Sequence, residues 1–494
     1  MTVLMWLPLA MDPHDRFGYA IPSGESVAGK SAPTVRRSLA GSEAHSIDFV
    51  PLEERYGSPW RLFTLWFSAN FQIAALVVGC LGVAAGLSLA WSCVAIVIGV
   101  LLGTVFMAAH SAQGPHLGIP QMIQSRAQFG VFGAGVPLMV FVFANILFAA
   151  ANAIMMRDAI EQLLPIGGTA AIVVFGAITL VISYCGYELI HRVGLYLTVA
   201  SGVLFALTLV LVSSHPLPAS LTALHGKSLQ PAAFMLMITQ ATSWALGYGP
   251  FVADYSRYLP ADIRTSTTFW FTYCGNVLGA GCIMLLGAVL ASAFPGNLPD
   301  MALTIAKLFG PFGQLALIVI VLGVLQMNVL CVYSSFMSGV TIFTGFSGVK
   351  VLKRTTRLYS ILAVTTAATM AAVASQHRFN TFFSDTLIAQ VYLIVPWSAI
   401  NLADYYWIAR GRYSVPDIYD ADGIYGRVNW RTLGIYGIAI IAQIPFMDLS
   451  FYRGPIAQLI GADVAWIAAL VIPTTLYACF ASGSRPLRTE ASAK

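Results

Sequence analysis

The chain has 494 residues, 58% of them hydrophobic and only 10% charged, where an average soluble domain carries roughly 25% charged residues. That excludes a soluble protein of this length, and a net charge of +5 spread over loops is no nucleic-acid footprint. The seven cysteines, at 80, 93, 185, 274, 282, 331 and 479, all fall in apolar runs, which argues against a disulfide framework.

Residues 1–60 open the chain. The first ten are apolar and 11–46 are polar and rich in Pro, Ser and Gly, so the segment reads as a cytosolic arm with an overextended start rather than a cleaved signal. Uncharged runs follow at 62–87, 89–114, 269–299 and 314–348. Each exceeds the ~18 apolar residues that a membrane-spanning helix needs. Twelve spans are expected, centred near Ile73, Ile98, Ile146, Ile178, Phe205, Thr242, Gly279, Leu325, Thr366, Ile394, Ile441 and Leu470. Those around Ile146 and Leu325 are long enough to tilt.

With the N-terminus inside, the outer loops hold only Arg157, Lys227, Lys307, Arg378 and Arg453 of the 26 basic residues. The positive-inside rule thus puts both termini in the cytoplasm of a multi-pass plasma (inner) membrane protein. The connection over 111–132 is long and inner, while its counterpart five spans later, 294–311, is long and outer. A matching element on the opposite side is what an inverted five-plus-five repeat produces. The expected domains are a ten-helix core over 61–410, a cytosolic loop over 411–430, two further helices over 431–482 and a tail over 483–494.

Such a repeat predicts discontinuous first spans in each half. In span six, Gly247-Tyr248-Gly249-Pro250 puts two glycines and a proline in an apolar segment, and Pro250 frees backbone groups at that depth. Span one carries the polar cluster Ser68-Ala69-Asn70-Phe71-Gln72 without a proline. Intramembrane polar groups line cavities or pair with one another. Charges such as Asp158, Glu188, Asp254 and Arg257 sit at span ends, no histidine lies at mid-depth, and the mid-depth polar groups are amides. They are Asn70 and Gln72 in span one, Asn145 and Asn152 in span three, Gln240 in span six, and Gln326 and Asn328 in span eight. Asn145, Phe148 and Asn152 share a helix face at i, i+3 and i+7.

Asn and Gln carry donor and acceptor together and so match the mixed edge of a neutral heterocycle. Phe148 and Trp244 can stack on such a ring, an interaction worth about 1–3 kcal/mol. A single buried amide is more often helix-to-helix glue at about 0.6 kcal/mol. Convergence from four spans favours a site.

Several ordered motifs add to this. They are Pro51-Leu52-Glu53-Glu54-Arg55 with Gly57-Ser58-Pro59-Trp60, Trp66-Phe67-Ser68-Ala69-Asn70, Pro120-Gln121-Met122 with Ser125-Arg126-Ala127-Gln128-Phe129-Gly130, and Ser243-Trp244-Ala245. Then come Ala253-Asp254-Tyr255-Ser256-Arg257-Tyr258-Leu259-Pro260, Tyr333-Ser334, and an inner loop with Arg412-Tyr413, Tyr419-Asp420, Asp422-Gly423, Tyr425-Gly426 and Asn429-Trp430. Over residues 50–481 the chain resembles the nucleobase–cation symporters, in the branch of purine–cytosine permeases.

The resemblance implies an all-α protein of about twelve transmembrane helices, with an inverted repeat in the first ten and a site between spans one, three, six and eight. Phe148 matches a position usually held by a stacking Trp, Asn152 an amide, Trp244 the span-six stacking Trp, and Asn328 a span-eight amide. Cys331 stands where a further amide is expected. With Asn70 and Gln72 these form the candidate substrate site. The implied cargo is cytosine or a purine, with allantoin, a hydantoin or a vitamin precursor as alternatives. The expected partners are that small heterocycle and the lipid bilayer, with oligomeric state left open and no cofactor or metal.

Sodium-coupled relatives place Ser and Thr hydroxyls before the span-eight amide. Residues 315–327 contain none, which favours H+ over Na+ as the coupling ion. An embedded enzyme would show a nucleophile or metal constellation at depth, and a channel rings of charge. The sequence offers neither.

Overall fold

The computed structural model describes residues 48–185, 187–215, 229–294, 300–347 and 354–481. Most of the N-terminal arm, the C-terminal tail, Lys227 and the side chain of Glu188 lie outside the described residues.

The apolar runs fold as helices because only a helix satisfies every backbone group within its own segment in lipid. Span one is the pair Trp60–Ala69 and Ile73–Ala84, span two Leu89–Ala109, span three Gly135–Leu163, span four Gly168–Cys185 and span five Tyr187–Ser213. Span six is Pro231–Gly247, resuming as Val252–Ser256. Spans seven to twelve are Thr265–Ala293, Gly313–Ser347, Arg354–Ser375, Phe379–Ala403, Trp430–Gln443 and Ala465–Ala481. Spans nine and ten form one apolar stretch of 54 residues, Thr355–Ile408. At about 1.5 Å per residue it exceeds twice the ~30 Å hydrocarbon core, so it crosses twice. It turns at Gln376–Arg378. The spans around Ile146 and Leu325 are 29 and 35 residues long.

Both expected breaks are present. The halves of span one meet at 61°. Asn70 causes the break: its side-chain Nδ2 donates to the Trp66 carbonyl at 2.7 Å, competing with the backbone ladder. Gln72 then runs extended, with φ −143 and ψ 150. In span six the helix stops at Gly247, passes through a 3-10 turn at Gly249–Phe251, and resumes beyond Pro250.

Glycines bring these spans to backbone contact. A Cβ on Gly275 or Gly279 of span seven would fall 2.5 or 2.4 Å from the Phe63 or Phe67 carbonyl oxygen of span one. Gly99 and Gly103 of span two face Ile238 and Thr242 of span six in the same way. Small residues four apart are the usual means of close helix packing in lipid. Spans eleven and twelve pack on span ten, where Tyr436 Oη donates to the Leu393 carbonyl at 2.8 Å and Gln443 Nε2 to the Tyr392 carbonyl at 3.0 Å, and Tyr436 also meets Phe129 at 5.8 Å between ring centroids.

The connection over 111–132 differs from a simple loop. It folds as short helices at Gln113–Leu117, Gln121–Gln124 and Arg126–Phe129, and nearly all of it is buried. Its glutamines supply the hydrogen bonds that burial demands.

Candidate functional site

The two breaks lie side by side. Asn70, fully buried, donates from Nδ2 to Asn276 Oδ1 at 3.0 Å as well as to Trp66, and its Oδ1 accepts from Trp244 Nε1 at 2.8 Å. Asn276 Nδ2 donates onward to Thr104 Oγ1 at 2.8 Å. Both amide hydrogens of Asn70 are thus spent on protein, and its effect is to fix the indole of Trp244. Gln72 Nε2 donates to the Ala69 carbonyl at 3.0 Å and to Tyr248 Oη at 3.2 Å, while Tyr248 donates to the same carbonyl at 3.3 Å.

Phe148 of span three faces Trp244 edge-on, with centroids 6.3 Å apart, and meets Phe383 of span ten at 6.4 Å. One turn along span three, Asn152 Nδ2 reaches Asn328 Oδ1 of span eight at 3.5 Å, a long contact. Asn328 Nδ2 donates to Thr179 Oγ1 at 3.1 Å. The structure therefore joins Phe148 with Trp244, Asn152 with Asn328, and Asn70 with Trp244. Gln72 is tied to Tyr248, whose ring stands edge-on to Trp244 at 6.0 Å.

Asn145 is buried with its Nδ2 unpartnered. Gln240 turns to Ser384 of span ten at 2.8 Å, and Gln326 lies against Gly194 of span five, so neither joins the cluster. Tyr248 and Asn276 were missed by the sequence reading. Tyr248 had a signal, standing between the glycines of the span-six break. Asn276 had none until its partners were known.

Outside the cluster, the C-terminal end of span three and the N-terminal end of span ten border a cavity of about 480 Å³, lined by Ile154, Arg157, Asp158, His377, Arg378 and Asn380 among others. Ile154 stands two residues from Asn152. Arg157 Nε donates to Asp158 at 2.6 Å and Nη1 to the Gln376 carbonyl at 3.2 Å. In the adjoining loop after span seven, burial and the neighbouring Asp158 push the Asp300 carboxyl above its ordinary range. Among the described residues no group of three or more His, Cys, Asp or Glu could hold a metal.

Paired aromatics and amides at two helix breaks can hold a flat polar ring. Residues 49–467 match the family described as permease for cytosine/purines, uracil, thiamine, allantoin. The chain belongs to this permease family. YxlA of Bacillus subtilis (strain 168), named as a purine-cytosine permease, is 40% identical over 88% of this chain and 95% of its own length. The purine-cytosine permease fcyB of Emericella nidulans is 23% identical over 93% of each chain. A solved nucleobase-cation-symport-1 family transporter, closed with bromovinylhydantoin bound, superposes with a TM-score of 0.69 at 18% identity, over 89% of this chain and 96% of that one. The family is one of transporters and not of enzymes, and the fold is that of this symporter.

Proposed function

We propose that the chain imports a nucleobase, cytosine or a purine, by proton symport with alternating access across the plasma membrane, with both termini in the cytoplasm. The observation that carries this reading is the edge-on pair of Phe148 and Trp244 beside the Asn152–Asn328 contact. A flat ring entering from the outer cavity would stack on the aromatics and replace the long amide–amide bond with its own donor and acceptor. Asn70 and Gln72 serve as positioning residues, holding Trp244 and Tyr248.

Proton coupling is favoured by the oxygens available. A sodium ion is a hard cation that needs several of them. Span eight offers no hydroxyl over 315–327. The Ala69 carbonyl, freed by the span-one break, already accepts from Gln72 and Tyr248.

The test is uptake of labelled cytosine into proteoliposomes, with pH and sodium gradients imposed separately and with purines, uracil, allantoin and hydantoins as competitors. Accumulation under an inward pH gradient without sodium, displaced best by purines or cytosine, supports the reading. Accumulation driven by sodium at equal pH overturns the coupling. Displacement by allantoin or a hydantoin alone overturns the substrate.

A further inference from the structure

Beneath the break in span six, a buried histidine heads a chain of side-chain hydrogen bonds. His110, fully enclosed at the inner end of span two, stacks on Trp397 of span ten with centroids 5.3 Å apart. Its Nε2 lies 2.8 Å from Ser398 Oγ and its Nδ1 3.3 Å from Gln121 Nε2. The neighbours fix the tautomer. Gln121 Oε1 accepts the Ala253 backbone N–H at 3.2 Å, so the end facing His110 is the NH2 group. That group also donates to Gln113 Oε1 at 2.7 Å. An amide NH2 only donates. Nδ1 is therefore the acceptor, and Nε2 carries the proton offered to Ser398.

The chain continues inward. Gln113 Nε2 donates to Asn401 Oδ1 at 2.8 Å, Asn401 Nδ2 to Gln128 Oε1 at 3.4 Å, and Gln128 Nε2 to Asp404 Oδ2 at 2.8 Å. Gln121 also holds span six through its backbone N–H, which donates to Asp254 Oδ1 at 2.7 Å. Gly249, within the break, lies against the imidazole: a Cβ there would come within 3.7 Å of Cδ2.

We propose that His110 is a proton-binding site of the transport cycle, and that a proton arriving at Nδ1 displaces the Gln121 amide and releases the inner half of span six. The inference rests on the proton-coupling part of the proposed function. The proton takes the Nδ1 lone pair, so the hydrogen bond that Gln121 Nε2 donates there breaks first. Two donors then face each other, so Gln121 must turn away and lose Ala253 or Gln113 in doing so. The charged and titratable groups on the elements packed around the ring are Asp254, Tyr255 and Arg257 of span six, Asp404, Tyr405 and Tyr406 just beyond span ten, where Tyr406 donates to the Ala109 carbonyl, His116 and Arg126 of the 111–132 connection, and Arg264 before span seven. Loss of the proton to the inner water restores the Gln121 bond and closes the gate.

The test uses reconstituted wild type, His110→Gln and Gln121→Glu. His110→Gln keeps a donor toward Ser398 and cannot take a proton. Without the proton the inner gate stays shut, so both its exchange of labelled cytosine at equal pH and its accumulation under a pH gradient should fall tenfold or more. A second readout needs no substrate: a protonated imidazole quenches the indole stacked on it, so wild-type fluorescence should step down on acidification and His110→Gln should lose that step. Gln121→Glu puts a carboxylate beside Nδ1 and should move the step to higher pH by about one unit or more. Accumulation or exchange by His110→Gln at the wild-type level overturns the proposal, as does a fluorescence titration identical to that of wild type. Wild type that keeps the step but exchanges no cytosine would overturn the substrate reading alone.

Discussion

Two buried polar regions lie one above the other along span six, built from the same residue types and paired differently. Around the 111–132 connection, Gln113, Gln121, Gln128 and Asn401 bond to one another and to His110 and Asp404, most links being 2.7 to 2.8 Å. At mid-depth the Asn152–Asn328 contact stretches to 3.5 Å. There Phe148 is only half-buried, and Asn145 Nδ2 and Gln390 Oε1 have no partner. In the proposed function the first region acts as a wall and the second as the site. Amides that satisfy one another seal a passage, whereas amides with spare donors and acceptors wait for a ligand.

The largest effect should come from breaking the frame that both regions share. A Cβ on Gly287 of span seven would fall 1.9 Å from the Leu76 carbonyl oxygen. Gly287→Leu should leave no folded protein on size-exclusion chromatography, because backbone cannot give way as a flexible side chain can. Next, the site: Asn152→Ala should cut uptake roughly tenfold to a hundredfold, the equivalent of about 1–3 kcal/mol, with normal protein levels in the membrane. The matching wall variant, Gln113→Ala, should do the reverse, lowering the unfolding temperature while KM stays within about twofold. If Gln113→Ala raised KM and spared stability, the distinction between wall and site would fail.

Trp244 sharpens the site half of the comparison. Trp244→Phe keeps a π-face and should lose about threefold in uptake, whereas Trp244→Leu should lose about tenfold or more. Equal uptake by the two would make Trp244 a packing residue.

The smallest effect concerns a carboxyl far from both regions. Asp463, in the loop before span twelve, accepts from the Tyr392 hydroxyl and from the Asp448 N–H at 2.8 Å. Burial nevertheless pushes its pKa above the ordinary carboxylate value of 3.8. The folded state therefore holds this proton more tightly than the unfolded chain does. The resulting stability is full below the unfolded pKa and is lost as pH rises through the folded one. Asp463→Asn cannot ionise, so melting curves from about pH 4 to 7 should show less decline than wild type.

Much of the fold is legible without coordinates because its causes are local. Hydropathy marks the spans, since lipid forbids unsatisfied backbone. Pro250 and its glycines mark the span-six break through a missing N–H. The face shared by Phe148 and Asn152 follows from helical spacing. What the tertiary structure decided is which amide meets which. Asn70 and Gln72 look like site residues in sequence, yet Asn70 is spent on Trp66, Asn276 and Trp244. Trp244 lies 174 positions away, and Gln113 finds Asn401 across 288. An amide is wall or site according to whether its donors and acceptors are already matched. No local pattern encodes that, because the match is made only when distant spans pack.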